Sequence, residues 1–327
     1  MRIVIDLQGA QSSGSRKRGI GRYTLALALA IVRNRGGHDI VIALNGQFPE
    51  TISAIRETFR DLLPADNIRV WRGSTGVAAS ISGAQARRKA TELLREGFLD
   101  SLEPDVIFVS SHFEGWADDA TTSVGYFETG TPTVITLYDL IPHLHPEIYL
   151  ADPELKAWYE EKLNHLERAD LLLAISESSR QEALTCLGLA PERAINISSD
   201  VDRLFEPLSL TNTAEKELKD RFGISKSFVM YTGGIDHRKN IDRLIAAFAG
   251  LPTPLREEHQ LVIVCSASEE SVVLLLKEAQ LHGLPSDALI FTGYVADEDL
   301  VRLYNLCKLF VFPSWHEGFG LPALEAM

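Results

Sequence analysis

Residues 309–327, LFVFPSWHEGFGLPALEAM, hold the most informative pattern in the sequence. The apolar run 309–312 is short and rich in aromatic and β-branched residues, so it predicts a buried parallel strand. A loop with two glycines follows, and a helix is expected to begin near Leu321. A strand, a glycine-containing loop and a helix N-terminus together point backbone N–H groups at a ligand. Glu317 in the loop and Glu325 in the helix add two carboxylates, which accept hydrogen bonds from sugar hydroxyls.

This stretch resembles the E-x7-E signature of retaining glycosyltransferases of the large sucrose-synthase and mannosyltransferase family, the glycosyl transferases group 1, which have the GT-B fold. The spacing of Glu317 and Glu325 fits, and so do the EGFGLP core and the EAM ending. The alternative is a pair of solvated glutamates on an ordinary αβ unit. The resemblance implies that the donor is also bound by the residues between the two glutamates, namely Gly318, Phe319, Gly320 and Leu321.

The composition is that of a globular protein of about two domains. The chain has 327 residues, of which 45% are hydrophobic and 24% are charged, and its formal net charge is −13. This acidity disfavours nonspecific binding to nucleic acid. The three cysteines are scattered without metal-ligand spacing, no signal-peptide pattern is visible, and the longest early apolar run, residues 25–32, is too short to span a bilayer. These features predict a cytoplasmic protein.

Residues 2–44 predict the opening of a doubly wound α/β domain. Arg2–Leu7 is expected to form a buried strand, and Gly9–Gly21 a loop. A helix from about Arg22 to Arg35 and a strand over Asp39–Leu44 then complete a β-loop-α-β unit.

The loop of this unit is glycine-rich and locally cationic. Gly19 and Gly21 give G-x-G, but Thr24 stands where the third glycine of a dinucleotide fingerprint belongs, so that interpretation is weak. Arg16–Arg18 and Arg22 supply the positive charge. The loop is either a solvated mobile segment or a flexible lid that meets an anionic acceptor or the donor phosphates. The family often has a glycine-rich loop here that approaches the substrates.

Three polar residues follow predicted strands of the first domain, where doubly wound folds place their ligands. His112 is a candidate acceptor contact, although a lone histidine is more often structural. Tyr138 stands where the family often has a histidine near the reacting sugar carbon, and a tyrosine is a poor general base at neutral pH. Asp139 is either a functional carboxylate or a turn and cap residue.

The second half repeats the strand–turn–helix pattern. Phe228–Tyr231 predicts a strand, and Gly233 and Gly234 provide a turn of close approach. Arg238 and Lys239 then precede a helix, and this arrangement predicts an anion site for a diphosphate. The alternative is a solvated helix start.

The resemblance assigns further roles here. Lys239 matches the family lysine that holds the nucleotide diphosphate, whereas the family's frequent arginine falls at Gly234, so Arg238 is expected to substitute for it. Tyr294 lies in a turn that often contacts the nucleotide base in this family.

The sequence therefore predicts two Rossmann-like domains that face a cleft, with GT-B architecture. We expect an acceptor-side domain over residues 1–205, a linker over 206–226, and a nucleotide-sugar-binding domain over 227–327. The family normally continues beyond the last helix, so the second domain is expected to be incomplete.

The expected activity is retaining glycosyl transfer without a divalent metal or other cofactor. Glu317, Lys239 and Arg238 are the candidate catalytic residues, and Glu325 is expected to bind the ribose. The donor is a nucleotide-sugar, with GDP-mannose suggested by the resemblance. The acceptor is a glycan or lipid-linked glycan of surface polysaccharide synthesis, and a lipid-linked acceptor implies peripheral contact with the inner membrane face.

Three alternatives remain from the sequence. A nucleotide-sugar epimerase has the same architecture and differs in its product. A non-catalytic nucleotide-sugar-binding fragment differs in lacking turnover. An NAD oxidoreductase is disfavoured by the missing third glycine.

Overall fold

The computed structural model describes residues 1–127 and 130–327 and divides the chain into two compact units. The first unit comprises Met1–Ser198 and the second Ser199–Met327. Each is an α/β unit built on a parallel sheet. Among the described residues, no helix combines the length and the apolar character needed to cross a bilayer.

The described part of the first unit contains a parallel sheet of seven strands in the order β3-β2-β1-β4-β5-β6-β7. The order reverses between β1 and β4, which makes the loops after these two strands the expected ligand-binding loops. The strands are β1 (Arg2–Asp6), β2 (Asp39–Asn45), β3 (Ile68–Trp71), β4 (Val106–Val109), β5 (Thr133–Leu137), β6 (Leu171–Ala174) and β7 (Ala194–Asn196). The helices are α1 (Gly19–Arg33), α2 (Pro49–Phe59), α3 (Gln85–Asp100), α4 (Ile141–Leu144), α5 (Pro146–Tyr149), α6 (Pro153–Arg168) and α7 (Glu177–Cys186).

Both faces of this sheet are covered, as the apolar runs of its strands require. Ile5 and Ile42 are fully buried on one side, where α1 and α2 pack, and Val4 and Ile135 are fully buried on the other side. Alternate residues of β1 therefore enter different core clusters, as expected for a central strand.

A buried ion pair lies at the end of β1. Nε of Arg95 donates to Oδ2 of Asp6 at 2.7 Å, and both side chains are 1% exposed. Nη1 of Arg95 also donates to the carbonyl oxygen of Ser123 at 3.0 Å. The pair thus connects β1 and α3 with the segment that follows β4, and it holds that segment in place through the carbonyl oxygen of Ser123.

The described part of the second unit contains a parallel sheet in the order β10-β9-β8-β11. The strands are β8 (Ser227–Thr232), β9 (His259–Val264), β10 (Leu289–Phe291) and β11 (Leu309–Phe310). The helices are α8 (Asn212–Phe222), α9 (Ile241–Ala249), α10 (Thr253–Glu258), α11 (Glu269–Leu281), α12 (Asp297–Leu306) and α13 (Leu321–Glu325).

The strand predicted over residues 309–312 is parallel, but it is shorter and less buried than expected. Only Leu309 and Phe310 form β11, which pairs with β8. Leu309 is 57% exposed because β11 is the edge strand of this sheet.

The division between the units falls at Ser198, whereas residue 205 was the predicted domain end. Most of the predicted linker 206–226 is the helix α8, which belongs to the second unit. Oγ1 of Thr211 caps its start by accepting from the N–H of Ala214, and Gly223 ends it in the left-handed region at φ 70°.

The first long helix starts earlier than the sequence predicted, at Gly19 and not near residue 22. Gly21 lies in its first turn and donates from its N–H to the carbonyl oxygen of Ser15 at 3.1 Å. A Cβ atom on Gly21 would lie 2.4 Å from the Cα atom of Arg16, so only glycine fits this close approach. The close packing of Gly21 against the backbone of Ser15 and Arg16 therefore overrides the low helix propensity of glycine.

Candidate functional site

The end of β8 is shaped by a turn that only glycine fits well. Gly233 has φ 142°, in the region that side chains rarely adopt, and a Cβ atom on it would lie 2.7 Å from the hydroxyl oxygen of Tyr231. That hydroxyl donates to the carbonyl oxygen of Gly234 at 2.6 Å. The Tyr231 hydroxyl thus holds the predicted close-approach turn in place through its hydrogen bond to Gly234.

The two predicted cations lie in the short 3-10 helix His237–Lys239 between this turn and α9. Asn240 follows at φ 60° and donates from Nδ2 to the carbonyl oxygen of Pro313 at 3.1 Å. The N–H of Trp315 donates in return to the carbonyl oxygen of Arg238 at 3.1 Å. These bonds tie the loop after β8 to the loop after β11.

Glu317 bridges both cations. Nη1 of Arg238 donates to Oε2 of Glu317 at 2.5 Å, and Nζ of Lys239 donates to Oε1 at 2.6 Å. The side chains of Arg238, Lys239 and Glu317 are 21%, 10% and 16% exposed. Nε of Arg238 also lies 3.3 Å from Oδ1 of Asp236. The structure therefore brings the three predicted catalytic residues together in one partly buried cluster.

Glu317 is ionised at neutral pH. Burial alone raises the pKa of its carboxyl, but the charge and hydrogen bond of Lys239, with smaller contributions from Ser314 and the charge of Arg238, lower the pKa below its ordinary value. The site thus contains a carboxylate whose two oxygens both accept charge-assisted hydrogen bonds.

The second glutamate of the signature lies in α13, as predicted, and contacts a tyrosine that the sequence analysis missed. The hydroxyl of Tyr304 donates to Oε2 of Glu325 at 2.9 Å and lies 3.3 Å from the carbonyl oxygen of Pro322. Tyr304 comes from α12 and is 8% exposed. Its position in an apolar helical pattern indicated only a core residue, so no local signal distinguished it.

The remaining predicted donor residues occupy loops or the start of α13. Gly318 is buried, Phe319 is half-buried, and Gly320 precedes Leu321, the first residue of α13. Tyr294 follows Gly293 and is 80% exposed.

The glycine-rich segment of the first unit is anchored by carboxylates. Asp118 accepts from the hydroxyl of Ser12 at 2.9 Å and from the N–H of Ser13 at 2.7 Å. The hydroxyl of Ser15 donates to Oε1 of Glu114 at 2.5 Å. Gly19, Gly21 and Arg22, predicted as loop residues, instead form the first turn of α1, where Gly19 and Arg22 are exposed.

His112 is a core histidine in this structure. It is 1% exposed, and Nε2 lies 3.1 Å from the carbonyl oxygen of Lys162. Burial, followed by the charge of Lys162, lowers its pKa well below the ordinary value, so it is neutral. Its enclosure leaves no surface for the acceptor contact that the sequence suggested.

Tyr138 and Asp139 are held by the protein itself. The hydroxyl of Tyr138 lies 2.8 Å from Oγ1 of Thr24 and donates to the carbonyl oxygen of Ser110 at 3.1 Å. Burial raises the pKa of Tyr138 above its ordinary value. Oδ1 of Asp139 accepts from the N–H of Ile141 at 3.1 Å, as the turn alternative predicted.

Family models match most of the chain. The model of glycosyl transferases group 1 matches residues 215–327, and the model of glycosyltransferase family 4 matches residues 17–202. The chain belongs to glycosyltransferase family 4. The family resemblance predicted from the carboxylate signature is thereby confirmed. In the part of the chain that the structure describes, no group of three His, Cys, Asp or Glu side chains is arranged to hold a metal ion.

Curated relatives of this family 4 member are named as mannosyltransferases. The chain is 40% identical over 328 residues to the serotype-specific mannosyltransferase WbdA of Escherichia coli, covering 100% of this chain and 39% of the relative. It is 32% identical over 197 residues to the O-antigen chain mannosyltransferase B of Escherichia coli, covering 59% of this chain and 50% of that protein. The chain thus spans about two fifths of the length of WbdA.

Solved structures share the fold of this family 4 chain. HepE of Anabaena, determined with UDP and glucose, matches 100% of this chain and 78% of its own with a TM-score of 0.64 and 19% identity. WaaG, described as a glycosyltransferase of lipopolysaccharide biosynthesis, matches with a TM-score of 0.62 and 15% identity over 100% of this chain and 78% of its own. These likenesses confirm the predicted GT-B fold class.

Proposed function

We propose that this chain transfers a sugar, with retention of configuration, from a nucleotide-sugar to a glycan or lipid-linked acceptor in surface polysaccharide synthesis. The observation that carries the proposal is the bidentate contact of Glu317 with Arg238 and Lys239. It joins a carboxylate suited to sugar hydroxyls with two cations suited to a diphosphate.

On the donor side, the cations stabilise the departing diphosphate. Negative charge develops on the diphosphate as the bond to the anomeric carbon breaks, and fixed cations lower the energy of that state. The N-terminus of α9, a helix of nine residues, follows directly and adds its dipole. Glu317 holds hydroxyls of the sugar, Glu325 holds the ribose with the support of Tyr304, and Tyr294 stacks on the base.

Two residues that follow strands of the first unit, Tyr138 and His112, are not suited to act as a general base. The hydroxyl of Tyr138 is engaged by Thr24 and Ser110, and its raised pKa keeps it protonated. His112 is enclosed. We therefore propose that an oxygen of the donor diphosphate takes the acceptor proton, which fits retention without an enzymic base.

We propose mannose as the transferred sugar and GDP-mannose as the donor. The names of WbdA and of the O-antigen chain mannosyltransferase B support mannose. A Campylobacter jejuni relative, 26% identical over 161 residues, is named for an acceptor linked to diphospho-undecaprenol, which supports a lipid-linked acceptor. Lys17, Arg18 and Arg22 are exposed and would face the inner leaflet in that case.

The test is an activity assay on the natural protein with GDP-mannose, UDP-glucose and UDP-N-acetylglucosamine, using a mannosylated glycan acceptor. We expect mannose transfer that is lost in Glu317→Ala, α-linked product by NMR, and full activity in EDTA. Absence of transfer from every donor would rule the proposal out. A β-linked product would contradict retention, and activity lost in EDTA would contradict metal independence.

A nucleotide-sugar epimerase is a second candidate, because the fold accommodates it. The UDP-GlcNAc 2-epimerase of Neisseria meningitidis matches 95% of this chain and 76% of its own with a TM-score of 0.53 and 12% identity. Chromatography of nucleotide-sugars incubated without acceptor separates the two functions, since only an epimerase changes the sugar under those conditions.

A further inference from the structure

The charged side chains of this cluster carry no net positive charge for a diphosphate. Two cations, Arg238 and Lys239, are opposed by two carboxylates, Glu317 and Asp236, within salt-bridge distance. The formal charge of these four side chains is therefore zero. An approaching diphosphate is attracted by the cations and repelled by the carboxylates, so it gains little Coulomb energy while these ion pairs persist.

Of the two opposing carboxylates, Glu317 makes the shorter contacts with the cations. It uses both oxygens, at 2.5 Å from Nη1 of Arg238 and 2.6 Å from Nζ of Lys239, and its side chain is 16% exposed. Oδ1 of Asp236 lies farther from its cation, at 3.3 Å from Nε of Arg238, and the Asp236 side chain is 41% exposed. Charge-assisted bonds in a partly buried setting are costly to break unless other donors replace the cations.

The hydroxyls of a sugar are such donors. A hexose attached to the diphosphate would bring several O–H groups to the carboxylate while its phosphates take over the cations. A nucleoside diphosphate without the sugar brings the phosphates but no hydroxyls to this place. Only the nucleotide-sugar therefore replaces the hydrogen bonds that Glu317 loses when the cations turn to the diphosphate.

We propose that Glu317 acts as an internal counter-ion, which yields Arg238 and Lys239 to a diphosphate only when an attached sugar donates hydrogen bonds to its carboxylate. The inference rests on the proposed function and deepens it. Glu317 then discriminates nucleotide-sugar from free nucleoside diphosphate, and its return to the cations after transfer promotes release of the product.

The order of events follows from the transfer step. The bond between the anomeric carbon and the diphosphate oxygen breaks with both electrons on that oxygen, the acceptor oxygen bonds to the carbon, and the acceptor proton passes to the diphosphate. The sugar then leaves with the acceptor, and the Glu317 carboxylate loses its hydroxyl donors. Its negative charge next to the diphosphate weakens the binding of that product.

The test compares three ligands by calorimetry on the natural protein: inorganic pyrophosphate, GDP and GDP-mannose. In Glu317→Gln, we expect pyrophosphate and GDP to bind at least about tenfold more tightly than in the natural protein, because one nearby negative charge is gone. The affinity for GDP-mannose should not increase, so the natural protein's preference for GDP-mannose over GDP should be lost. In Glu317→Asp, whose side chain is shorter by one methylene, the affinities should lie between those of the natural protein and those of Glu317→Gln.

The matched control is Glu298→Gln, which removes the same charge from an exposed position in the first turn of α12. It should leave all three affinities unchanged. Circular dichroism shows whether Glu317→Gln is folded, and a thermal shift with pyrophosphate that is larger in this variant than in the natural protein is a second expected readout.

The outcomes separate this inference from the proposed function. Transfer by the natural protein, with pyrophosphate and GDP no tighter in Glu317→Gln, overturns the counter-ion role and leaves the proposed function standing. Tighter pyrophosphate binding in the variant, with no transfer from any nucleotide-sugar, supports the counter-ion role and overturns the proposed function. If pyrophosphate binds neither protein, the cations are not a diphosphate site and the inference falls.

Discussion

Nζ of Lys239 donates a hydrogen bond to Oε1 of Glu317 at 2.6 Å, across 78 positions of the chain. The bond joins the loop after β8 to the loop after β11, which are neighbouring strands of one parallel sheet. Because the carboxyl ends of parallel strands meet at one edge, two distant sequence segments form a single charged cluster there. The predictions below concern this cluster and the residues that support the two units.

Replacement of Lys239 should lower the rate of transfer more than the binding of donor. In Lys239→Ala, a fixed charge that stabilises the departing diphosphate is lost, so kcat should fall by roughly a hundredfold to a thousandfold. Steady-state kinetics measures this fall in kcat. The control is Lys226→Ala, which removes a surface ion pair with Asp287 at 3.2 Å and should retain full activity. An unchanged kcat in Lys239→Ala would show that Lys239 does not stabilise the departing diphosphate.

Replacement of Tyr304 should weaken donor binding while leaving the rate of the chemical step nearly unchanged. Tyr304→Phe keeps the ring, which packs against Phe310, but loses the hydrogen bond to Glu325. We expect KM for the donor to rise by several-fold, equivalent to about 1 kcal/mol. Tyr126→Phe, which loses a hydrogen bond to Glu161 in the first unit, is the control. Equal changes of KM in both variants would argue against a positioning role for Tyr304.

Two neighbouring glycines in α1 should respond oppositely to alanine. Gly21→Ala places a Cβ atom 2.4 Å from the backbone of Arg16, so it should destabilise the first unit by about 1–3 kcal/mol. Gly19→Ala meets no atom within 4 Å and lies in the same helix, so it should be neutral or slightly stabilising. Urea unfolding followed by tryptophan fluorescence suits this test, because three of the four tryptophans lie in the first unit. Equal urea midpoints for the two variants would contradict the close approach at Gly21.

Acidification should weaken the first unit through a buried histidine. Burial, followed by the charge of Lys162, lowers the pKa of His165 from about 6.5 to about 4. Between these pH values the unfolded chain binds more protons than the folded chain, so stability is lost as the pH falls, by up to about 3 kcal/mol from this residue. His112, whose pKa is also lowered, acts in the same direction.

Urea midpoints measured between pH 7 and pH 4 report this loss. His165→Gln should flatten the dependence on pH, whereas His282→Gln, at a partly exposed residue of the second unit, should keep the slope of the natural protein. A His165→Gln chain that retains the full slope would show that other groups carry the acid sensitivity.

The fold class was within reach of the sequence because its signals are local: alternating strand and helix patterns predicted parallel sheets. The site was within reach only through the family resemblance, which implied that Glu317, Arg238 and Lys239 bind the same donor. The structure brings Glu317 into direct contact with both cations.

What the sequence did not provide depends on contacts that no local pattern shows. Nothing in the helix pattern of α12 showed that Tyr304 reaches Glu325. The glycines at the start of α1 indicated a loop, because their low helix propensity does not show that the backbone of Ser15 and Arg16 packs against Gly21. His112 follows a strand end, as ligand residues do, but it packs against Lys162 and His165 of α6 and is 1% exposed.

The buried pair of Asp6 and Arg95 has a consequence for how this family varies. Loss of either partner alone leaves a charge sealed from water, at a cost of about 3–5 kcal/mol, whereas joint replacement by apolar residues of similar volume is nearly neutral. The two positions are therefore expected to change together among homologues. Sequences that keep the aspartate should keep the arginine, although 89 residues separate them.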